Sequence, residues 1–246
     1  MFVQVKLLQY PSKKFTYAVP ESLQSAMAQG LLVEVPLKKQ IVPAVVAGID
    51  TSGQRYSFAV KSIVSVYSFP QDLVYADFIA KVGQYYQVDS SIFLNRIQHF
   101  LSEKEQEASN FVPSPAMPSH DEVVLTDDQQ KVYESIAPSI AAKKHETFLL
   151  HGVTGSGKTE IYKKLAHDVL LEGKSVILML PEVCLALRFQ KIFEACFSSV
   201  PVIGFHSVSS VSQKKLLWQM LLEQKPMIIV GVHMPILLPI ANLGLI

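Results

Sequence analysis

An eight-residue stretch near the middle of the chain has the residue types needed to bind the phosphates of a nucleotide. Residues 152–159 fit G-x-x-x-x-G-K-[ST], the phosphate-binding loop, at every specified position. The glycines lack Cβ atoms, so the backbone can curl and direct its N–H groups at phosphate oxygens. Lys158 would place a cation against the β- and γ-phosphates, and the Thr159 hydroxyl would bind Mg²⁺. The candidate nucleotide-binding residues of this stretch are Gly152, Val153, Thr154, Gly155, Ser156, Gly157, Lys158, Thr159 and Glu160.

The motif needs a strand before it and a helix after it, and the flanking sequence predicts both. Residues 147–151 are a short apolar run typical of a strand. Downstream, apolar residues recur at helical spacing from Ile161 to Leu170, and Gly173 stands where a helix would end. These flanks argue against the alternative of a glycine-rich turn that binds nothing.

Four apolar segments around the loop predict a doubly wound α/β domain. Each is apolar on both faces, as buried parallel strands are, and helical patterns separate them. These predicted strands are 147–151, 175–180, 200–205 and 227–232.

The first part of the chain predicts a different architecture. Its predicted strands are 3–8, 15–19, 31–35, 42–49 and 62–67. Five short strands separated by turn residues predict a small barrel or sandwich. Two helical patterns follow, over 73–86 and 92–101, and would cover the open side of these strands. Helical spacing also predicts that Tyr85, Tyr86 and, further on, Trp218 are core residues; base stacking by the two tyrosines is the alternative.

A proline-containing segment predicts the boundary between the two parts. Pro113, Pro115 and Pro118 fall within a few residues of one another. We therefore predict a first domain over 1–108, a linker over 109–122 and a second domain over 123–246.

Composition predicts a globular protein of a reducing compartment. The 246 residues are 49% apolar and 17% charged, with a net charge of +1. Cys184 and Cys196 have no metal-site spacing and are interpreted as small core residues without a disulfide. The N-terminus lacks the pattern of a signal peptide. Residues 227–246 carry no charge, but prolines interrupt them, so they predict strand, loop and strand rather than a membrane span. We expect a cytoplasmic protein without a membrane partner.

Residues around the loop resemble one helicase family. Thr126 and Gln129 fit the T-x-x-Q motif of superfamily 2 helicases, in which the glutamine reads adenine. The loop continues into Glu160-Ile161-Tyr162, and the later segments 180–183, 205–207 and 230–231 follow in the same order. Together they resemble the PriA-type helicases, which restart collapsed replication forks. The resemblance implies a RecA-like ATPase lobe behind a small, mostly-β DNA-binding domain with two helices. It also implies ATP and Mg²⁺ as cofactors.

The resemblance extends to the first domain, where the family binds the 3′ end of DNA. Segments 15–20, 35–40 and 61–64 are similar to that domain. The implied partners are forks, single strands and 3′ ends of DNA, other primosome proteins and single-strand-binding protein. Lys13 and Lys14 add a candidate phosphate-contacting patch, for which ordinary surface lysines are the alternative. The candidate DNA contacts are Thr16, Tyr17, Lys38, Lys39, Lys61, His206 and Ser207.

Several positions depart from the family pattern. The family often has Asp at Thr16 and Gly at Lys38, and it has Arg at His233. A winged-helix domain, the acidic Walker B pair, the second lobe and its zinc-binding cysteines have no counterpart in these residues. We therefore expect the chain by itself to be a fragment with little or no hydrolysis, although its full-length relatives would bind zinc.

Three functions fit the sequence. The first is a 3′-to-5′ ATP-dependent DNA helicase of primosome assembly. The second is a non-catalytic module that binds fork DNA or a primosome partner. The third is another P-loop NTPase, such as a small-molecule kinase, because the loop alone does not choose a reaction.

Overall fold

The computed structural model describes residues 1–50, 59–70, 72, 74–101 and 124–246. The chain divides into two compact units, Met1–Glu103 and Lys104–Ile246. The predicted linker over 109–122 lies outside the described residues, so the predicted domain boundaries stay a prediction.

The first unit contains an antiparallel sheet of five strands in the order β2-β1-β4-β3-β5. Every second residue of β1 is buried, among them Val3, Val5 and Leu7, because alternate side chains point to one face. These valines and leucines form the core together with residues of β3 and β4. The strands are β1 Phe2–Leu7, β2 Tyr10–Ala18, β3 Leu32–Leu37, β4 Gln40–Asp50 and β5 Ser65–Val66.

Hydrogen bonds between β2 and the segment before β5 close this sheet at one end. Ala18 N donates to Lys61 O over 2.9 Å, and Ile63 N donates to Ala18 O over 2.9 Å. Because β2 and β5 are the two edges of the sheet, these bonds close it into a small barrel, one of the two architectures that the sequence predicts. The same bonds explain why β5 is shorter than the predicted strand 62–67: residues 61–63 turn toward β2.

Two helices follow, α1 Tyr75–Tyr86 and α2 Ser91–Leu101, close to their predicted ranges. The prediction that Tyr85 and Tyr86 are core residues is wrong, since 81% and 65% of these residues is exposed. Buried Tyr75 and Ile79 lie nearer the start of α1, whereas the two tyrosines occupy its last turn. Helical periodicity indicates which side a residue faces, but not how far the covering surface extends along the helix.

The second unit has a parallel sheet of four strands in the order β7-β8-β6-β9, which confirms the predicted parallel α/β architecture. The central strand β8 is buried at every position. Its strands are β6 Ser175–Met179, β7 Val202–Phe205, β8 Ile228–Gly231 and β9 Leu243–Leu245. Its helices are α3 Asp127–Ala141, α4 Lys158–Leu171, α5 Val183–Cys196 and α6 Val211–Leu222.

The strand predicted over 147–151 is not formed. Leu149 is 95% exposed and Phe148 is 40% exposed. An apolar run becomes a strand only where a neighbour offers backbone donors and acceptors. None of the described strands pairs with 147–151.

Three further predictions concern side-chain burial and the membrane. Cys184 is exposed in the first turn of α5 and Cys196 is half-buried, so the prediction that both are core residues is wrong. Trp218 is half-buried rather than fully buried. Residues 227–246 contain β8, a short 3-10 turn and β9, as predicted. None of the described helices is both long and apolar enough to cross a membrane.

Candidate nucleotide-binding and DNA-binding sites

The loop before α4 has the backbone conformation that its glycines predict. Gly155 and Gly157 have φ values of +84° and +79°, a region that side chains other than glycine rarely occupy. A Cβ at Gly152 would lie 2.7 Å from Ser156 Oγ. Gly157 is the N-cap of α4, whose first N–H groups have no partner within the helix. The loop therefore offers backbone donors and a helix N-terminus to an anion.

Lys158 reaches back across the loop. Its Nζ donates to Gly152 O over 2.6 Å and to Val153 O over 2.9 Å, which holds the ammonium beside the loop. Thr159 and Glu160 are half-buried in the first turn of α4. Glu160 pairs with Lys163 over 3.0 Å. Val153, Thr154 and Ser156 are exposed.

The N-terminus of α3 contacts the same loop. Thr126 and Gln129 form a capping box: Gln129 N donates to Thr126 Oγ1 over 3.4 Å, and Thr126 N donates to Gln129 Oε1 over 2.9 Å. Gln129 Nε2 donates to Ser156 O over 3.2 Å. The structure therefore brings Gln129 to the phosphate-binding loop, and Thr126 is bonded to Gln129 rather than to the loop.

A hydrogen bond that no motif predicts ties α3 to α4. The Tyr133 hydroxyl donates to Asp168 Oδ2 over 2.6 Å. This bond to a carboxylate raises the pKa of Tyr133 to about 12, and burial adds to the effect. Lys164 Nζ lies 5.7 Å from the centre of the Tyr133 ring. The sequence held one indication that Tyr133 faces α4. It lies four residues after Gln129, and this spacing places both side chains on one face of α3.

The loop after β7 places the predicted pair His206 and Ser207 in different environments, one buried and one exposed. His206 is 5% exposed, and burial lowers the pKa of its imidazole. Ser207 is exposed, so it is the member of the pair that a ligand can reach. Sequence reasoning missed Ser209, whose Oγ donates to Gly204 O over 2.7 Å and accepts from His206 N over 2.9 Å.

In the first unit, a cavity of about 450 Å³ brings together three of the predicted DNA contacts, Thr16, Tyr17 and Lys61. Tyr17 is buried, and its hydroxyl donates to Pro36 O over 3.2 Å. Burial raises the pKa of Tyr17. The cavity is lined by Lys14, Phe15, Thr16, Tyr17, Ala59, Val60 and Lys61.

Lys38 and Lys39 lie in the turn between β3 and β4, where both are exposed, and do not line this cavity. Lys61 Nζ donates to Lys38 O over 3.4 Å, so the backbone of the turn contacts a lining residue. Lys38 has φ of +53°, the left-handed region that favours glycine. A glycine would adopt this conformation at lower cost than lysine.

Comparison with known proteins finds a different family model that matches each unit. A family model described as "3'DNA-binding domain (3'BD)" of PriA matches residues 3–96. A second, the DEAD/DEAH box helicase, matches residues 126–242. The replication restart protein PriA of Rickettsia prowazekii is 28% identical over 249 residues, covering 98% of this chain and 36% of that protein. The chain is therefore similar over nearly its whole length to PriA-type replication restart proteins.

Other relatives of this PriA-type chain match over shorter lengths. PriA of Bacillus subtilis is 38% identical over 122 residues, or 50% of this chain and 15% of that protein. PriA of Treponema pallidum is 33% identical over 144 residues, or 58% of this chain and 21% of that protein. The chain thus spans well under half the length of these relatives. Among the described residues, no group of three or more His, Cys, Asp and Glu side chains could hold a metal ion.

Proposed function

We propose that this PriA-type chain binds Mg·ATP at residues 152–159 and DNA ends in its first unit. The observation that carries the proposal is the loop before α4, where Gly155 and Gly157 adopt conformations that favour glycine. The loop ends at the N-terminus of α4, which attracts an anion, and the Lys158 ammonium lies beside the loop. The match to the DEAD/DEAH box helicases over 126–242 supports ATP as the nucleotide.

The residues around the loop fit a triphosphate. Backbone N–H groups of the loop and the first turn of α4 would surround the phosphates, and Lys158 would exchange its carbonyl acceptors for phosphate oxygens. The Thr159 hydroxyl would hold Mg²⁺. When bound, Mg·ATP supplies the bond whose hydrolysis drives helicases. The chain's own residues bind the phosphates, orient them and neutralise their charge.

The first unit supplies the proposed DNA site. Lys14 and Lys61 are two cationic residues that line the cavity together with Thr16 and Tyr17. Cations beside a cavity with both polar and apolar lining suit a terminal nucleotide, whose phosphate and 3′-hydroxyl both form hydrogen bonds. The match to the PriA 3′ DNA-binding domain over 3–96 supports this assignment.

We further propose that the whole protein is a cytoplasmic 3′-to-5′ helicase that acts on forks with single-strand-binding protein and other primosome proteins. The names of the relatives, replication restart proteins, support this role. Weak hydrolysis by residues 1–246 alone belongs to the same proposal. Measuring ATP turnover of the full-length protein with and without forked DNA separates this role from that of a small-molecule kinase, whose turnover would not depend on DNA.

Calorimetric titration with Mg·ATP tests the nucleotide site. The unmodified chain should show saturable binding, and Lys158→Ala should weaken it roughly tenfold or more, because a charged hydrogen-bond donor is lost. Lys131→Ala is the matched control, since Lys131 is an exposed lysine of α3 that pairs only with Asp128 in the described structure. Equal affinities for all three proteins would refute the assignment.

A non-catalytic DNA-binding module is the second candidate, because the first unit has a cavity of its own. Fluorescence anisotropy with duplexes that end in a 3′-hydroxyl or a 3′-phosphate tests it. Preference for the 3′-hydroxyl end in the absence of nucleotide, with weaker binding by Lys61→Ala, would support this function. Identical affinity for both ends would exclude end recognition.

A further inference from the structure

The face of α3 that meets α4 combines apolar contacts with a hydrogen bond to a carboxylate. Ile136 of α3 is buried against Ile161 and Leu165 of α4. Tyr133 packs against this cluster, and its hydroxyl donates to Asp168 Oδ2 over 2.6 Å. Apolar contacts have no preferred direction, whereas a hydrogen bond weakens steeply when its angle changes. The bond from Tyr133 to Asp168 therefore restricts how α3 can rotate and slide on α4.

Neighbouring groups on α4 hold the Asp168 carboxylate in place. Its Oδ1 lies 3.6 Å from Lys164 Nζ and 3.4 Å from His167 Nδ1, which leaves Oδ2 to accept from Tyr133. Lys164 Nζ also lies 5.7 Å from the centre of the Tyr133 ring, where a cation is attracted to the aromatic face. The hydroxyl of α3 thus meets an acceptor whose position is already fixed on α4.

The first turn of α3 lies at the phosphate-binding loop. Gln129, one turn before Tyr133, accepts from Thr126 N through Oε1 and donates to Ser156 O through Nε2. A glutamine amide has two N–H donors and two acceptor lone pairs. Gln129 therefore keeps one donor and one acceptor for a bound nucleotide. The direction in which they point depends on the orientation of α3.

We propose that Tyr133 is a positioning residue of the nucleotide site, because its bond to Asp168 orients α3 and so directs the Gln129 amide toward the ligand. The proposal rests on the nucleotide site proposed above and adds to it a residue that acts through Gln129. The loop and the first turn of α4 take the phosphates, so we assign the nucleoside part of the ligand to α3. The Tyr133 bond should therefore matter for a nucleotide and not for its phosphates alone.

Inorganic tripolyphosphate isolates the phosphate contribution, because it has no nucleoside. Calorimetry on the whole chain measures binding of Mg·ATP and of magnesium tripolyphosphate. Tyr133→Phe should weaken ATP binding roughly threefold to tenfold and leave tripolyphosphate binding within about twofold, since only the hydrogen bond that orients α3 is lost. Tyr162→Phe is the matched control, since Tyr162 is a half-buried tyrosine of α4 whose hydroxyl bonds to no described residue. It should change neither affinity.

A double-mutant cycle tests whether Tyr133 acts through Gln129. Gln129→Ala alone should weaken ATP binding, and adding Tyr133→Phe should weaken it no further, because the amide that Tyr133 positions is gone. A purely structural role would instead make the two losses add. Asp168→Ala should reproduce the effect of Tyr133→Phe. Asp168→Asn keeps an acceptor for the Tyr133 hydroxyl, so it should weaken ATP binding less than Asp168→Ala does.

Each outcome decides the proposal. Equal weakening of ATP and tripolyphosphate binding by Tyr133→Phe would overturn it, and so would a loss of ATP affinity that persists in full beside Gln129→Ala. If Tyr133→Phe changes neither affinity while Lys158→Ala abolishes both, the nucleotide site stands and the positioning role falls. If the unmodified chain binds neither ligand, both fall. Circular dichroism checks folding, and the comparison of Asp168→Ala with Asp168→Asn replaces Tyr133→Phe if that variant unfolds.

Discussion

The two candidate sites of this chain differ in what builds them. The phosphate-binding loop is one continuous segment, residues 152–159, and its donors belong to the backbone. The cavity of the first unit combines two separate segments, 14–17 and 59–61, and its polar groups include side chains. A backbone site demands glycine at fixed spacing, which leaves a pattern in the sequence. A side-chain site depends on how strands pair, which leaves no such pattern.

This difference predicts how each site tolerates substitution. The loop should be sensitive to changes of backbone conformation and the cavity to changes of side-chain chemistry. Four substitutions compare the sensitivity of the two units that carry these sites, from the largest expected effect to the smallest.

Gly157→Ala should destabilise the second unit by about 2–4 kcal/mol, because it combines a left-handed backbone with an overlap at Gln129 Nε2. Gly155→Ala is the matched control: its φ is +84°, but a Cβ there meets nothing within 4 Å. It should cost only about 1 kcal/mol. Urea denaturation measures both, and equal losses would show that the contact with Gln129 has no energetic consequence.

Asn242→Ala should destabilise the second unit by about 1–2 kcal/mol without weakening nucleotide binding. Its Nδ2 donates to Gly173 O over 3.3 Å and to Gln224 O over 3.0 Å. These bonds lie at the amino-terminal ends of the parallel strands, whereas ligands bind α/β sheets beyond the carboxyl-terminal ends of the strands. Denaturation and calorimetry on the same variant check this, and a parallel loss of ATP affinity would contradict it.

Asp89→Asn should destabilise the first unit by about 0.5–1 kcal/mol at pH 7. Asp89 Oδ2 lies 2.7 Å from Lys6 Nζ, and Asp89 also accepts from Ser91. Burial alone would raise the pKa of Asp89, but the hydrogen bonds from Lys6 and Ser91 outweigh burial and lower it. A lowered pKa means that this stabilisation is present above the ordinary aspartate pKa and is lost as pH falls through the lowered value.

The pH dependence supplies the check on that prediction. The difference in unfolding free energy between Asp89→Asn and the unmodified chain should shrink from pH 7 toward pH 3. A difference that stays constant over this range would show that the ion pair does not contribute.

Lys38→Gly should have the smallest effect, a stabilisation of roughly 0.5 kcal/mol, because glycine accepts the positive φ of this turn at lower cost. Affinity for a 3′ DNA end should be nearly unchanged, since Lys61 contacts the backbone carbonyl of Lys38 rather than its ammonium. Strong loss of DNA affinity would mean that the Lys38 charge itself contacts DNA.

The sequence predicted those features that local chemistry determines. The strands with alternating or wholly apolar patterns, such as β4 and β8, lie within about two residues of their predicted ranges. The conformation of the loop followed from its glycines. Strand β2 begins at Tyr10, five residues before the prediction, because Pro11 is typical of a turn although Tyr10 pairs with Leu7 and Lys14 pairs with Lys6 of β1.

Features that depend on distant neighbours could not be predicted. The apolar run over 147–151 has the composition of a strand but no described pairing partner. Tyr85 and Tyr86 have core spacing but lie at the end of their helix. The contact from Gln129 to Ser156 joins residues 27 positions apart, so no local pattern reveals it.

Nuclear magnetic resonance titration of the chain with Mg·ATP tests the central claim most directly, because it locates binding residue by residue. The amide signals of Gly155, Gly157 and Lys158 should show the largest shifts, and those of the cavity residues Thr16 and Lys61 should stay in place. Saturable shifts confined to the loop and the start of α4 would establish the nucleotide site. Shifts elsewhere with an unchanged loop, or no shifts at millimolar Mg·ATP, would contradict it.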